Sequence, residues 1–437
     1  MKCDDYSQDM TPEQVVELVD NCPPGPWPSG WGHRDNVIEA HRMLVDRWIQ
    51  NYKPSENVPN HGRGIVIAGG GLKYMPSVWL HVHLIRSFGC NLPIQLWYLG
   101  DHEMDPALSR LLMPLGVECV NALDHPEAKN FRILCGWELK LFATWYSPWK
   151  EVLFLDADSC PVQDPEYFFD SKPFKDYGAI FWPDYAQWVL KWDVWRIFGI
   201  DRLADPNVAP HEPALESGQF IINKQEVEKE FRLSMFYAEH SDFTFNHVYG
   251  DKETFHLAWR KLNSNYAICP RPPGWNEHTI VQWDVENTNQ VAFQHRVQDK
   301  WRLSGNNRFV ESLANEAVSF ALLKELKTLW SGVLWENPRP TPYERDRIAE
   351  LTGTRWLYHR VGFDKRTISL GPSNRITEGS AECEERWWFN VHHKYGPTLT
   401  LSRIDRPTCH LQWDESKELW VGKWIENERM PVELSSI

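Results

Sequence analysis

The sequence predicts an α/β fold: a helical preface, a central sheet of largely parallel strands with helices on both faces, and a C-terminal antiparallel β module. Three observations predict it. Short apolar runs alternate with helix-period segments between residues 64 and 155, as a parallel sheet wrapped by helices requires. The first run stops at a tight Gly69-Gly70-Gly71 loop and the fourth delivers Asp156-Ala157-Asp158 at its end, as buried parallel strands ending in loops do. Beyond residue 354, short apolar runs are separated by turn residues instead of helices.

The elements follow in chain order. Thr11-Pro12-Glu13 reads as a capped helix start. Asn21 to Gly32 is a Pro/Gly/Trp loop, and Val37 to Tyr52 has apolar residues at helical spacing. Gly64–Ala68, Ile94–Leu99, Val117–Val120 and Val152–Leu155 are strands. Ser77–Phe88, Leu108–Leu115 and Trp137–Tyr146 are the helices between them. Ala179–Trp182, Gly218–Ile222 and Val291–Gln294 are further strands, and Val227–Glu239 and Lys252–Leu262 further helices. A long helix over Phe309–Trp330 closes the unit, and the prolines from Pro338 to Pro342 break the chain. Six short strands follow, with turns at Gly371-Pro372, Gly396-Pro397 and Asp405-Arg406-Pro407. The expected organisation is a helical extension over 1–60, an α/β domain over 61–335 and a β-rich accessory module over 354–437.

Composition narrows the functional classes. A chain of 437 residues exceeds one ordinary domain. Its net charge of −14 repels nucleic-acid phosphates and anionic lipid, so neither is an expected partner. The segment Met1–Gly30 carries Asp4, Asp5, Asp9 and Glu13 and lacks a basic start with an apolar run, unlike a signal peptide. No stretch reaches the roughly 18 apolar residues of a membrane span, so a cytoplasmic location is expected. Nine scattered cysteines without a CxxC pair point to reduced thiols, not a zinc ribbon. The 24 tryptophans serve either core packing or contact with the flat faces of sugar rings.

The central chemical signal is Asp156-Ala157-Asp158 after the apolar strand Val152–Leu155. Open α/β sheets bind ligands at that edge. Side chains two apart on an extended strand face the same way, so the two carboxylates form a hard, oxygen-rich site suited to Mg²⁺ or Mn²⁺. Such an ion stabilises a departing diphosphate. A phosphatase of the haloacid dehalogenase type also places DxD after a strand; there the strand lies near the start of its domain, whereas three strands precede this one. Gly69, Gly70 and Gly71 form either a nucleotide cradle or a plain tight turn. Lys140, one helix before Asp156, is a candidate phosphate ligand or a solvated lysine.

These residues stand in an ordered series of blocks: Lys140-Leu141-Phe142, then Val152 through Val162, Asp164-Pro165, Phe168-Phe169, Gly178 through Asp184, and Glu216-Ser217-Gly218-Gln219. The series resembles the fungal α-1,3-mannosyltransferase family and its bacterial relatives over roughly residues 60–310. The resemblance implies a GT-A fold, a GDP- or UDP-hexose donor, a divalent metal and retention of anomeric configuration, with Asp156 and Asp158 on the metal and diphosphate. His295-Arg296-Val297-Gln298-Asp299-Lys300-Trp301 is similar to the block that ends glycogenin-type transferase domains, although it is one residue shorter between His and Lys and lacks that block's Gly and Pro. It implies His295 as a third metal ligand and Lys300 on the diphosphate.

Glu216, with Gln219 as the alternative, is the candidate group beneath the donor sugar, as nucleophile or as electrostatic support. Asp184 is a candidate for the donor hydroxyls or an ordinary loop carboxylate. Asp251 is a candidate for positioning the acceptor or a helix cap. The expected partners are a nucleotide sugar and a glycan or other hydroxyl acceptor. A catalytically idle sugar-binding protein is the alternative from another class. Trp387, Trp388, Trp413, Trp420 and Trp424 belong either to a carbohydrate-binding sheet or to a structural core.

Overall fold

The computed structural model describes residues 10–21, 34–100, 103–134, 136–185, 192–203, 213–303, 307–330, 341–372, 374–391, 396–403, 407–425 and 427–437. The Asn21–Gly32 loop beyond its first residue, the proline break before residue 341 and the turn residues Asp405 and Arg406 lie outside the described residues. The chain divides into two compact units, one of residues 1–68, 84–96 and 125–298, the other of residues 69–83, 97–124 and 299–437.

The fold is an α/β arrangement with a helical N-terminal region and a C-terminal antiparallel sheet. Its leading strands are β1 (Arg63–Ala68), β2 (Ile94–Tyr98), β3 (Val117–Asn121), β4 (Glu151–Asp156), β5 (Ser159–Pro161), β6 (Ala179–Pro183), β7 (Leu215–Asn223), β8 (Ala267–Ile268), β9 (Gly274–Asn276), β10 (Thr279–Trp283) and β11 (Val291–His295). In the first unit the sheet order is β2-β1-β4-β7-β6-β8. β1 runs parallel to β4, from Arg63↔Glu151 to Ala68↔Asp156. The sheet is nevertheless mixed, because β7 runs antiparallel to β4, with Leu155 opposite Gln219. That reversal brings the start of β7, Glu216 and Ser217, to the end of β4 where the aspartates emerge.

A second, four-stranded sheet has the order β5-β11-β10-β9. Of its strands the sequence reading found only β11. Pro12–Asn21 and Asp35–Asn51 form the expected N-terminal helices. Thr11 and Gln14 cap the first reciprocally: the Gln14 amide donates to Thr11 Oγ1 at 3.4 Å, and the Thr11 amide to Gln14 Oε1 at 2.8 Å.

In the second unit, the expected Phe309–Trp330 helix begins only at Glu316, because Asn315 adopts φ 62° and interrupts it. A helix over Pro342–Gly353 starts with a Thr341–Glu344 capping box. Between Arg355 and Ser436 an eight-stranded antiparallel sheet packs on an aromatic core that includes Trp356, Tyr358, Trp387 and Trp420. No helix among the described residues is long and apolar enough to cross a membrane.

Candidate active site and metal centre

The apolar run of β4 is buried from Val152 to Leu155. It releases Asp156 at its last position, and the backbone then turns, so Ala157 and Asp158 are not extended. The expected same-face alternation along a strand is therefore not what makes the carboxylates converge. The turn and the pairing that follows do this: β5 pairs with β11, placing Ser159 opposite His295, and the Arg296 amide donates to the Asp158 carbonyl at 3.0 Å.

One ligand atom each from Asp156, Asp158 and His295 lies within 4.8 Å of the other two. His295 Nε2 is 3.3 Å from Asp158 Oδ1, and Nδ1 is 3.5 Å from Glu216 Oε1. Two carboxylates and an imidazole are a donor set that fits Mn²⁺ or Mg²⁺. A carboxylate on the far imidazole nitrogen is the usual orienting partner of a metal-binding histidine. Burial alone would lower the His295 pKa; Glu216 and Asp156 draw it above its ordinary value. Burial raises the Asp156 carboxyl against the pull of Lys140 and His295.

Glu216 is buried, which would raise its pKa, yet His295 and the Gly218 amide pull it down to about 2. That amide donates to Glu216 Oε1 at 2.7 Å. Gly218 has a role the sequence reading missed: a Cβ there would stand 2.6 Å from His295 Nδ1. Gln219 is fully buried, accepts from Ser159 Oγ at 2.8 Å and does not line the cavity described below.

Lys140 is buried on the Glu138–Tyr146 helix. Its Nζ lies 3.2 Å from Asp156 Oδ1 and 2.8 Å from Asp251 Oδ2, and it donates to Ser217 O and Oγ at 2.8 Å each. Burial opposes its charge, but Asp156 and Asp251 hold its pKa well above the ordinary value. Asp251 occupies the N-cap position of the Lys252–Leu262 helix without a side-chain capping bond; its carboxylate turns to Lys140 instead. Asp184 pairs with Lys252, which the sequence reading gave only as the start of a helix.

These side chains line a cavity of about 1060 Å³ together with Trp137, Tyr185, Asp193, Tyr249, Glu253 and Trp275. Gly69, Gly70, Gly71 and Lys300 belong to the second unit. There the Gly69 amide donates to the Trp97 carbonyl at 3.0 Å, Gly70 lies against Glu103, and Lys300 sits over the Tyr74 ring.

A family model described as "Mannosyltransferase putative" matches residues 62–214 and 202–294, together more than half of the chain. The chain belongs to this mannosyltransferase family. Among curated relatives, the α-1,2-mannosyltransferase MNN21 of Candida albicans is 27% identical over 278 residues, covering 52% of this chain and 41% of the relative. MNN24 of the same organism is 26% identical over 262 residues, covering 51% and 36%. MNN2 of Saccharomyces cerevisiae is 24% identical over 260 residues, covering 50% and 43%. The chain thus spans less than half the length of these mannosyltransferases. The sequence blocks resembled an α-1,3 family; the relatives are named for α-1,2 linkage. Among solved structures, the galactosyltransferase LgtC with donor and acceptor sugar analogs aligns at a TM-score of 0.38 and 14% identity, covering 65% of this chain and 99% of that one.

Proposed function

We propose that this chain is a metal-dependent hexosyltransferase. It would move a hexose, mannose being favoured, from a GDP- or UDP-sugar to a hydroxyl of a glycan or other acceptor, with retention of configuration. The observation that carries the reading is the convergence of Asp156, Asp158 and His295 beside an open cavity in a member of the mannosyltransferase family. Asp156, Asp158 and the Nε2 of His295 would hold Mn²⁺ or Mg²⁺. The bound cation would supply charge neutralisation for the departing nucleoside diphosphate.

Glu216 keeps the imidazole oriented and remains ionised at neutral pH, so it adds negative charge where an oxocarbenium-like centre develops. Lys140 balances Asp156 and Asp251 and fixes both carboxylates from below. Gln219 secures Ser159 at the start of β5. Asp184, paired with Lys252, offers an acceptor for donor-sugar hydroxyls. The acceptor hydroxyl attacks from the leaving-group face, and the β-phosphate oxygen takes its proton.

A thermal-shift panel of GDP-mannose, UDP-glucose and UDP-galactose with and without Mn²⁺ tests the reading. A true ligand at a hundredfold excess over Kd stabilises by about 2.7 kcal/mol, and this gain should appear only with Mn²⁺ and vanish in Asp156→Ala. Unimpaired turnover by Asp156→Ala would end the proposal. Binding without turnover of any donor would favour the non-catalytic alternative.

A further inference from the structure

Tyr185 and Trp275 stack on one another at the cavity, their ring centroids 4.8 Å apart and their planes 29° from parallel. They remain 42% and 39% exposed, so neither is a core residue. Their position relative to the metal ligands is fixed by sheet register. Trp275 pairs with Ile280, and Ile280 pairs with His295. Directly opposed residues of antiparallel strands project to the same face. Trp275, Ile280 and His295 therefore form one row, and all three line the cavity. Two strand spacings put Trp275 roughly 10 Å from His295. That leaves room for a donor sugar at the metal ligands and one acceptor ring beyond it.

The hairpin carrying Trp275 is held in place at a cost. Asn276 pairs with Thr279, so the loop is Glu277-His278, with φ 43° and 71° and no glycine. Such two-residue turns normally recruit Asn-Gly. Two contacts tie the loop down: His278 Nδ1 lies 2.7 Å from Gln298 Oε1, and the Gln298 amide donates to the His278 carbonyl at 3.4 Å. At the other end, Trp283 Nε1 donates to the Pro272 carbonyl at 2.9 Å under the Arg271 guanidinium. Strain retained by such anchors is a mark of a positioned side chain.

The chemistry around the stack selects its occupant. Asp184, Asp193, Glu216, Asp251 and Glu253 line the cavity besides Asp156. Asp193 Oδ1 and Glu253 Oε2 are buried without a hydrogen-bond partner. Lys140 and Lys252 line the same cavity and offset part of this charge, and the carboxylate oxygens offer acceptors to hydroxyl donors. A neutral ring with an apolar face and a hydroxyl rim fits both features. We propose that the Tyr185–Trp275 stack is the acceptor subsite, a platform for the saccharide ring that receives the transferred sugar.

The inference rests on the transferase reading, and the experiment separates the two. Mannotriose, cellotriose and maltotriose binding to the full chain is measured by calorimetry, and GDP and UDP binding with Mn²⁺ by thermal shift. Trp275→Ala and Tyr185→Ala should weaken binding of the preferred trisaccharide by about tenfold and leave nucleotide affinity within about twofold. Trp275→Phe, which keeps a stacking face, should recover most of the loss. Unchanged trisaccharide affinity in both alanine variants overturns the proposal. An equal loss of nucleotide affinity assigns the stack to a nucleobase and overturns it too, as does a wild type that binds nucleotide but none of the three sugars. A wild type that binds no nucleotide with Mn²⁺ sinks the transferase reading itself.

Discussion

Tryptophan is used in two opposite ways in this molecule. In the C-terminal sheet, Trp356 and Trp420 are each 1% exposed and sit in one aromatic and aliphatic core. Trp356 donates to the Leu351 carbonyl at 2.9 Å, and Trp387 to the Gly371 carbonyl at 3.0 Å. Arg360 and Arg347 lie over Trp424 and Trp413. Those rings have spent their faces on protein. Around the cavity of the first unit, Trp137 and Trp275 stay open and touch other exposed aromatics, Tyr249 and Tyr185. Apolar area removed from water stabilises a fold, so the first group supports stability and the second is available to a ligand. A count of tryptophans cannot separate them; register and exposure do.

The comparison is sharpest if broken from both ends. Trp420→Ala should cost about 3–5 kcal/mol, as large-to-small changes in a filled core do. Trp275→Ala should shift stability by no more than about 0.5 kcal/mol, as for an exposed residue. Urea unfolding of the two variants beside wild type measures both, and similar losses would erase the distinction. The next effect is on function. Asp156→Asn and Asp158→Asn each remove a charge from the metal cluster and should lower transfer by about a thousandfold. Their Mn²⁺-dependent nucleotide stabilisation should vanish while the Trp420 core stays intact by near-ultraviolet circular dichroism. Smaller again is Gly218→Ala. The added methyl meets His295 Nδ1 at 2.6 Å, so the imidazole must swing off its bearing. Mn²⁺ affinity should drop about 10- to 100-fold, and activity should return when Mn²⁺ is raised. A variant indifferent to Mn²⁺ concentration would separate Gly218 from the histidine's alignment.

What could be read in advance follows the range of the interactions. β1, β4 and β11 announce themselves as buried apolar runs, and the Asp156–Asp158 pair is visible because one of those runs delivers it. β5, β9 and β10 were not legible. β5 and β9 are only three residues each, and Gly274-Trp275-Asn276 has no period of its own; long-range pairing alone makes it a strand, whereas β10 is as long as β11 and was missed. Asp251 looks like a helix cap locally, and only the approach of Lys140 from another helix redirects it. Lys140 in turn reads as a solvated or phosphate-binding lysine until the fold buries it against two carboxylates. Tyr185 is a loop residue beside a predicted strand, and its meaning appears only when β9 arrives. The Thr341–Glu344 capping box was legible, but the neighbouring prolines drew the reading toward a break.

The smallest expected effect tests whether the hairpin's strain belongs to its function. Glu277 and Glu418 both occupy left-handed backbone, at φ 43° and 52°, one beside the open Trp275 and the other in the C-terminal sheet. Glycine relieves such a position by about 1 kcal/mol and loses part of that gain to its freer unfolded chain. Glu277→Gly and Glu418→Gly should therefore each change stability only slightly, in the stabilising direction. Trisaccharide affinity should be unaffected in both, because the His278–Gln298 contacts that tie down the Trp275 hairpin are kept. His278→Gly gains the same backbone relief but loses the contact with Gln298. It should thus be less stable than Glu277→Gly by about 1 kcal/mol and bind trisaccharide a few-fold more weakly, since a loosened Trp275, which His278 also meets edge-on, must be ordered on binding. Calorimetry on the three variants decides the matter. If His278→Gly binds as tightly as Glu277→Gly, the anchor does not position the ring, and the strain in this turn is only the geometric requirement of a two-residue loop.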